Sequence, residues 1–245
     1  MLLRLLLVCH LLLAGFATAA TLRLAVGLPK PPYVEAGGKS GMESELAIRT
    51  LQLAGHAVVV VQVPQARGLA MLREGSVEAM ITLIPGASSG LYYSQPLLYY
   101  RNRAIVLQQS GIVLRQITDL SRYSVASFQN ARLLFGNDYT RAVESAPSYS
   151  EHADQDTLNR LLLNHRADVV ISDEFIFHAN QTQQDLQGRR PAVSSYALFG
   201  NSPRHVGFRS DLRRREFDTA LLKLKASGEY QRIVQRYRDK YQLPE

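Results

Sequence analysis

The chain has 245 residues, 46% of them hydrophobic and 20% charged. That balance excludes a disordered or fibrous polypeptide and gives enough length for one large domain or two smaller lobes. The formal net charge of +7 is dispersed apart from Arg213-Arg214-Arg215, and no recognisable nucleic-acid-binding motif accompanies it, so no nucleic-acid partner is expected.

Residues 1–20 read as a secretory signal peptide. Arg4 supplies an early cation, Leu5–Leu13 is an apolar run too short to span a bilayer, and Ala17-Thr18-Ala19 is a small-x-small cleavage site. The chain is therefore expected to be exported to the periplasm. Its one cysteine, Cys9, falls inside this leader, so no disulfide, thiolate metal site or cysteine nucleophile is expected in the mature protein.

In chain order, "TLRLAVGL" (Thr21–Leu28) predicts a strand, ended by "PKPPY" because proline cannot extend a ladder. "GMESELAIRTLQLAG" predicts a helix with Met42, Leu46 and Leu53 on one stripe and Gly55 at its stop. A second strand, "HAVVVVQVP", a short helix, "ARGLAMLREG", and a third strand, "VEAMITLI", follow. Strands alternating with helices of this length imply βαβ units and mainly parallel sheets.

The pattern then recurs. "LAMLREGSVEAMI" (Leu69–Ile81) lies over "NRLLLNHRADVVI" (Asn159–Ile171), placing Gly75 on His165 and Glu78 on Asp168. "TLRLAVGL" has its counterpart in "YSVASF" (Tyr123–Phe128). Either the chain reuses a common α/β unit or it holds two similarly built lobes. His165 stands where a turn needs a left-handed residue, which histidine tolerates better than most. Phe217, Leu221 and Leu224, then Tyr230, Ile233 and Tyr237, mark two closing helices separated by Gly228.

Four segments together resemble the bacterial extracellular solute-binding proteins of family 3: "LRLAVGLPKPPYVEAGGKSGMESELA", "LREGSVEAMITLI" with "LYYSQPLLYY", "LLLNHRADVVISDE", and "VGFRSDLRRREFDTALLKLKASGEYQRIVQRY". The resemblance implies a two-lobe α/β fold of the type II periplasmic kind, each lobe a mainly parallel sheet flanked by helices, with two crossover strands as a hinge. Lobe one is expected over 21–107 plus 204–245 and lobe two over 108–203. It implies a monomeric receptor that closes on a small polar, amino-acid-like solute and hands it to an ABC-type membrane transporter or a sensor protein, without cofactor, metal or catalysis. The alternatives are a periplasmic dehydratase-like enzyme on the same scaffold, or an adaptor that has lost its solute.

The resemblance also implies a ligand site. Asp173, just past the strand "VVIS", is expected to receive a ligand ammonium group; its other reading is a cap on the following helix. Glu174 beside it is expected to face solvent or the helix N-terminus. Lys30 occupies the position of the family's aromatic wall, where it meets an anionic ligand group or solvent. Tyr33 packs against the prolines or touches ligand. Thr82 offers a hydroxyl to a ligand carboxylate or is an ordinary strand residue. The family's carboxylate-gripping arginine has no counterpart in "IPGASSGLYYS". Arg67 and Arg132 are the replacement cations considered, with Asn130 and Arg132 at the start of a second-lobe helix.

Overall fold

A computed structural model describes residues 21–184 and 191–245; the expected leader, 1–20, lies outside the described residues. The first half builds β1 (Thr21–Val26), α1 (Met42–Leu53), β2 (Ala57–Gln62), α2 (Gln65–Glu74), β3 (Ala79–Leu83), β4 (Tyr92–Tyr93), β5 (Leu98–Tyr100) and β6 (Asn102–Leu107). The second half builds β7 (Ser124–Phe128), α3 (Ala131–Phe135), α4 (Asn137–Glu144), β8 (Ser148–His152), α5 (Asp156–Leu163), β9 (Val169–Asp173), α6 (Glu174–Gln184), β10 (Val193–Tyr196), β11 (Ser202–Phe208), α7 (Asp211–Ala226) and α8 (Glu229–Tyr241).

Two sheets result. The first runs β2-β1-β3-β11-β4, with β5 also paired to β11; the second runs β10-β6-β9-β7-β8. In each, a parallel triad is flanked by antiparallel strands: β1 with β2 and β3 in the first, β7 with β8 and β9 in the second. The sheets are therefore mixed rather than mainly parallel, because β11 joins β3, and β6 joins β9, in the reverse direction. The lobe division was expected after Leu107, the last residue of β6. β6 hydrogen-bonds to β9 and β10 and so belongs to the second sheet. β11 likewise begins at Ser202, ahead of the expected return at Arg204.

Helices cover both faces of each sheet, as continuous apolar strands require. Leu46 and Leu51 of α1, Phe217, Leu221 and Leu224 of α7, and Ile233 and Tyr237 of α8 pack with β1, β3 and β11 on one face of the first sheet. Leu72 of α2 packs with Ala25 and Met80 on the other. Tyr139 and Val143 of α4 cover one face of the second sheet, and Leu158 and Leu162 of α5 the other. α6 is shared. Its Phe177 joins the α5 core, whereas Phe175, Ile176 and Ala179 belong to the core of the first lobe.

The repeated turn has a common construction. Gly75 and His165 both adopt left-handed backbone, with φ of 86° and 54°. The acid that follows each then clamps the neighbouring strand. Glu78 accepts from the Arg23 N–H at 2.7 Å while its own N–H donates to the Arg23 carbonyl. Asp168 accepts from the Ser124 N–H at 2.9 Å while its own N–H donates to the Ser124 carbonyl. The second reading of the repeat, two lobes built alike, is the one the fold follows. No helix among the described residues is long and apolar enough to cross a membrane.

Candidate functional site

The carboxyl ends of β1, β3, β7 and β9 converge on a gap between the lobes, where open α/β sheets place their ligands. Its inner part is a cavity of about 260 Å³ bordered by Lys30, Thr82, Tyr100, Asn102, Phe128, Asp173 and Arg204. An outer cavity of about 820 Å³ shares Lys30, Gln65, Thr82 and Phe128 with it and reaches Leu28 on one side and the 153–156 loop on the other. The inner volume lies close to the lower end of small-ligand sites, about 300–1,000 Å³.

Asp173 is buried, 2% exposed, at the junction of β9 and α6. Its Oδ1 accepts from the N–H groups of Phe175 and Ile176, both at 3.0 Å, which caps α6. Its Oδ2 accepts from the Arg101 N–H at 2.6 Å and from the Tyr33 hydroxyl at 3.2 Å. A carboxylate has about four lone-pair sites, and these four donors engage them. Burial pushes the Asp173 carboxyl up to about 6, against the pull of those donors and of the Lys30 charge. Glu174 is the first residue of α6, the second of its two expected placements, and is half-buried, with Arg103 Nε 3.8 Å from its Oε2.

Tyr33 does not border the cavity. Its ring stacks on Tyr100 with centroids 4.1 Å apart, and it is 1% exposed. Its loop is fixed by the approach of Gly41, whose φ of 107° and missing side chain both matter: a Cβ there would lie 2.4 Å from the Tyr33 carbonyl oxygen. The Tyr100 hydroxyl donates to Glu43 Oε2 at 2.9 Å, and Glu43 is fully buried with Oε1 lacking a hydrogen-bond partner.

Two cations lie against the same ring. Lys30 Nζ is 4.9 Å and the Arg204 guanidinium carbon 4.3 Å from the Tyr100 centroid. Desolvation, aided by the Arg204 charge and opposed by Glu43 and Asp173, lowers the Lys30 pKa. Arg204 is 8% exposed, and its Nη1 donates to Ser202 Oγ and the Pro203 carbonyl.

Thr82 borders both cavities with φ of 63°, an outlying conformation for a β-branched residue. Leu83 pairs with His205 and Met80 with Gly207, so two residues of β3 face one of β11. This β-bulge turns the end of β3 at the cavity wall, a usual place for one. Gln65 Nε2 donates to the Thr82 carbonyl at 3.2 Å.

The other expected residues lie elsewhere. Arg67 is exposed on α2 and borders neither cavity. Asn130 and Arg132 also border neither; their backbone N–H groups donate to the Glu151 carboxylate at 2.7 and 3.1 Å. Burial would raise Glu151, but the Tyr149 hydroxyl, these two N–H groups and the Arg132 charge hold it below the usual carboxylate range. An internal acid thus occupies the helix start that a ligand was expected to meet.

Sequence reasoning missed Glu43, Tyr100, Asn102 and Arg204. A polar residue in the apolar strand "NRAIVL" was the available signal for Asn102. Arg204 arrives on β11, far along the chain from the loop where an arginine was sought.

No family model and no curated protein sequence matches the chain. Among solved structures, the GluR0 ligand-binding core in complex with L-glutamate is similar at a TM-score of 0.71 and 17% identity, over 90% of this chain and 99% of that one. An ancestral cationic amino acid solute-binding protein, AncCDT-1, is similar at 0.69 and 16%, over 89% and 95%. An amino acid ABC transporter substrate-binding protein, AbpA from Streptococcus pneumoniae, bound to L-arginine, is similar at 0.68 and 17%, over 92% and 97%. Two mixed sheets, helices on both faces of each, and a cleft at the strand ends give this chain the two-lobe fold of the amino-acid-binding solute-binding proteins.

Proposed function

We propose that the chain is a solute-binding receptor that holds a small polar solute between its lobes and presents it to a membrane transporter or a sensor. It works outside the cytoplasm after export and performs no chemistry on the solute. The observation that carries this reading is the inner cavity, whose walls come from both lobes: Lys30, Thr82, Tyr100 and Arg204 from one, Asn102, Phe128 and Asp173 from the other. A solute touching both walls favours closure, since closure is driven only by contacts that the open form lacks. Lys30 and Thr82 are the contacts proposed from the sequence-derived set, with Asp173 and Tyr33 holding the wall behind them.

The buried Asp173 carboxyl, at about 6, is the one feature favouring an enzyme on this scaffold, since general acids and bases work best near neutral pKa. Its four internal donors weigh against direct proton transfer. A thermal-shift screen of amino acids, organic acids and polyamines tests the receptor reading. A true solute at a hundredfold excess over its dissociation constant adds about 2.7 kcal/mol of stability. Product formation from that solute, abolished by Asp173→Asn, would instead establish an enzyme.

A further inference from the structure

We propose that the solute is a small organic acid anion, its carboxylate seated on Lys30 and Arg204 and its body on Tyr100 and Phe128, with no ammonium group required. The proposal rests on the receptor reading and deepens it by naming the ligand class.

Donors around the inner cavity are unmatched. Among the described residues, Lys30 forms no hydrogen bond or ion pair through its side chain. Arg204 pairs with no carboxylate and engages only Nη1, on neutral oxygens of its own strand. Both cations border the inner cavity. Asn102 borders it too, is 3% exposed, and its Nδ2 has no hydrogen-bond partner. A buried donor without a partner carries a desolvation cost that a ligand acceptor removes.

Carboxylates, by contrast, are engaged or set back from the cavity. An amino-acid ammonium group needs a carboxylate or several carbonyls within reach. Asp173 is engaged by four internal donors. Glu43 is fully buried behind Tyr100 and borders neither cavity. At the outer mouth, Asp154 and Asp156 both pair with Arg160. The wall therefore offers two cations and an amide donor without a free carboxylate opposite them. A carboxylate lying between Lys30 and Arg204 gains charge-assisted hydrogen bonds from both, and Arg204 retains Nε and Nη2 for a bidentate grip. Tyr100, Phe128 and Ile176, which border the same cavity, suit an apolar chain or ring behind that carboxylate.

Calorimetric titration of the mature protein with matched pairs tests this: propionate against alanine, glutarate against glutamate, 3-phenylpropionate against phenylalanine, with arginine added. The tightest member is expected to be a deaminated acid, at least tenfold tighter than its amino partner. An amino acid as the tightest member overturns the proposal and leaves the receptor reading standing. Absence of binding by every member overturns the proposal, and a wider thermal-shift screen that also finds no solute overturns the receptor reading. Lys30→Met and Arg204→Gln should each weaken the tightest acid at least tenfold while keeping a cooperative melt. If Arg204→Gln fails to fold, the half-buried Lys30 remains as the test, and unchanged affinity in folded Lys30→Met overturns the proposal.

Discussion

Asp173 carries a proton-linked consequence at the scale of one side chain. In an unfolded chain its carboxyl titrates near 3.8, whereas burial holds it at about 6 in the fold. Between those values the native state binds more protons than the unfolded state, so this group's contribution is present below about pH 4 and is lost as pH rises through about 6. The loss is on the order of 2–3 kcal/mol. Urea midpoints of the wild type and Asp173→Asn at pH 4, 5, 6 and 7 check this. The wild type should fall relative to the variant across pH 4–6 and run parallel above it; equal profiles would refute the assignment. The variant should also be weaker at low pH, by about 1–3 kcal/mol, because its amide turns a donor toward the Arg101 N–H or the α6 caps. The position of Asp173 past a strand end was legible from "VVISD". Its saturation was not, because Tyr33 and Arg101 lie 140 and 72 residues away in sequence. Separation in sequence also hid Arg204, whose neighbours around the cavity come from several other elements.

At the scale of elements, the duplicated turn makes a paired prediction. Gly75 takes its left-handed backbone without steric cost, so Gly75→Ala should destabilise by about 1–2 kcal/mol. His165→Gly relieves the same conformation and should be neutral or stabilising by up to about 1 kcal/mol. Thermal melts of both variants check this: Gly75→Ala should melt lower than the wild type, and His165→Gly should not. These turns were readable because helix period, turn residue and following acid are local features. The short strands were not. Tyr92–Tyr93 and Leu98–Tyr100 span two and three residues, too few for any alternation to register. Nor was the mixed character of the sheets legible, since the antiparallel members β6 and β11 bring chain from beyond the local βαβ units. Glu151 is a further case: its occupation of the α3 start depends on β8 lying beside β7, which no local pattern announces.

Taken as a molecule, the chain is divided by its sheets and rejoined by α6. The helix begins on a strand of the second sheet and lends Phe175, Ile176 and Ala179 to the core of the first lobe while Phe177 stays with its own. Thr182 Oγ1 then donates to the Tyr241 carbonyl at the end of α8 at 2.9 Å. A lobe that lends its neighbour part of a core cannot melt alone. Scanning calorimetry should accordingly give one heat-absorption peak whose calorimetric and van't Hoff enthalpies agree, rather than two resolved peaks. Phe175→Ala, which removes a ring from that shared core, should cost about 3–5 kcal/mol and pull the calorimetric enthalpy above the van't Hoff value as the halves begin to denature separately.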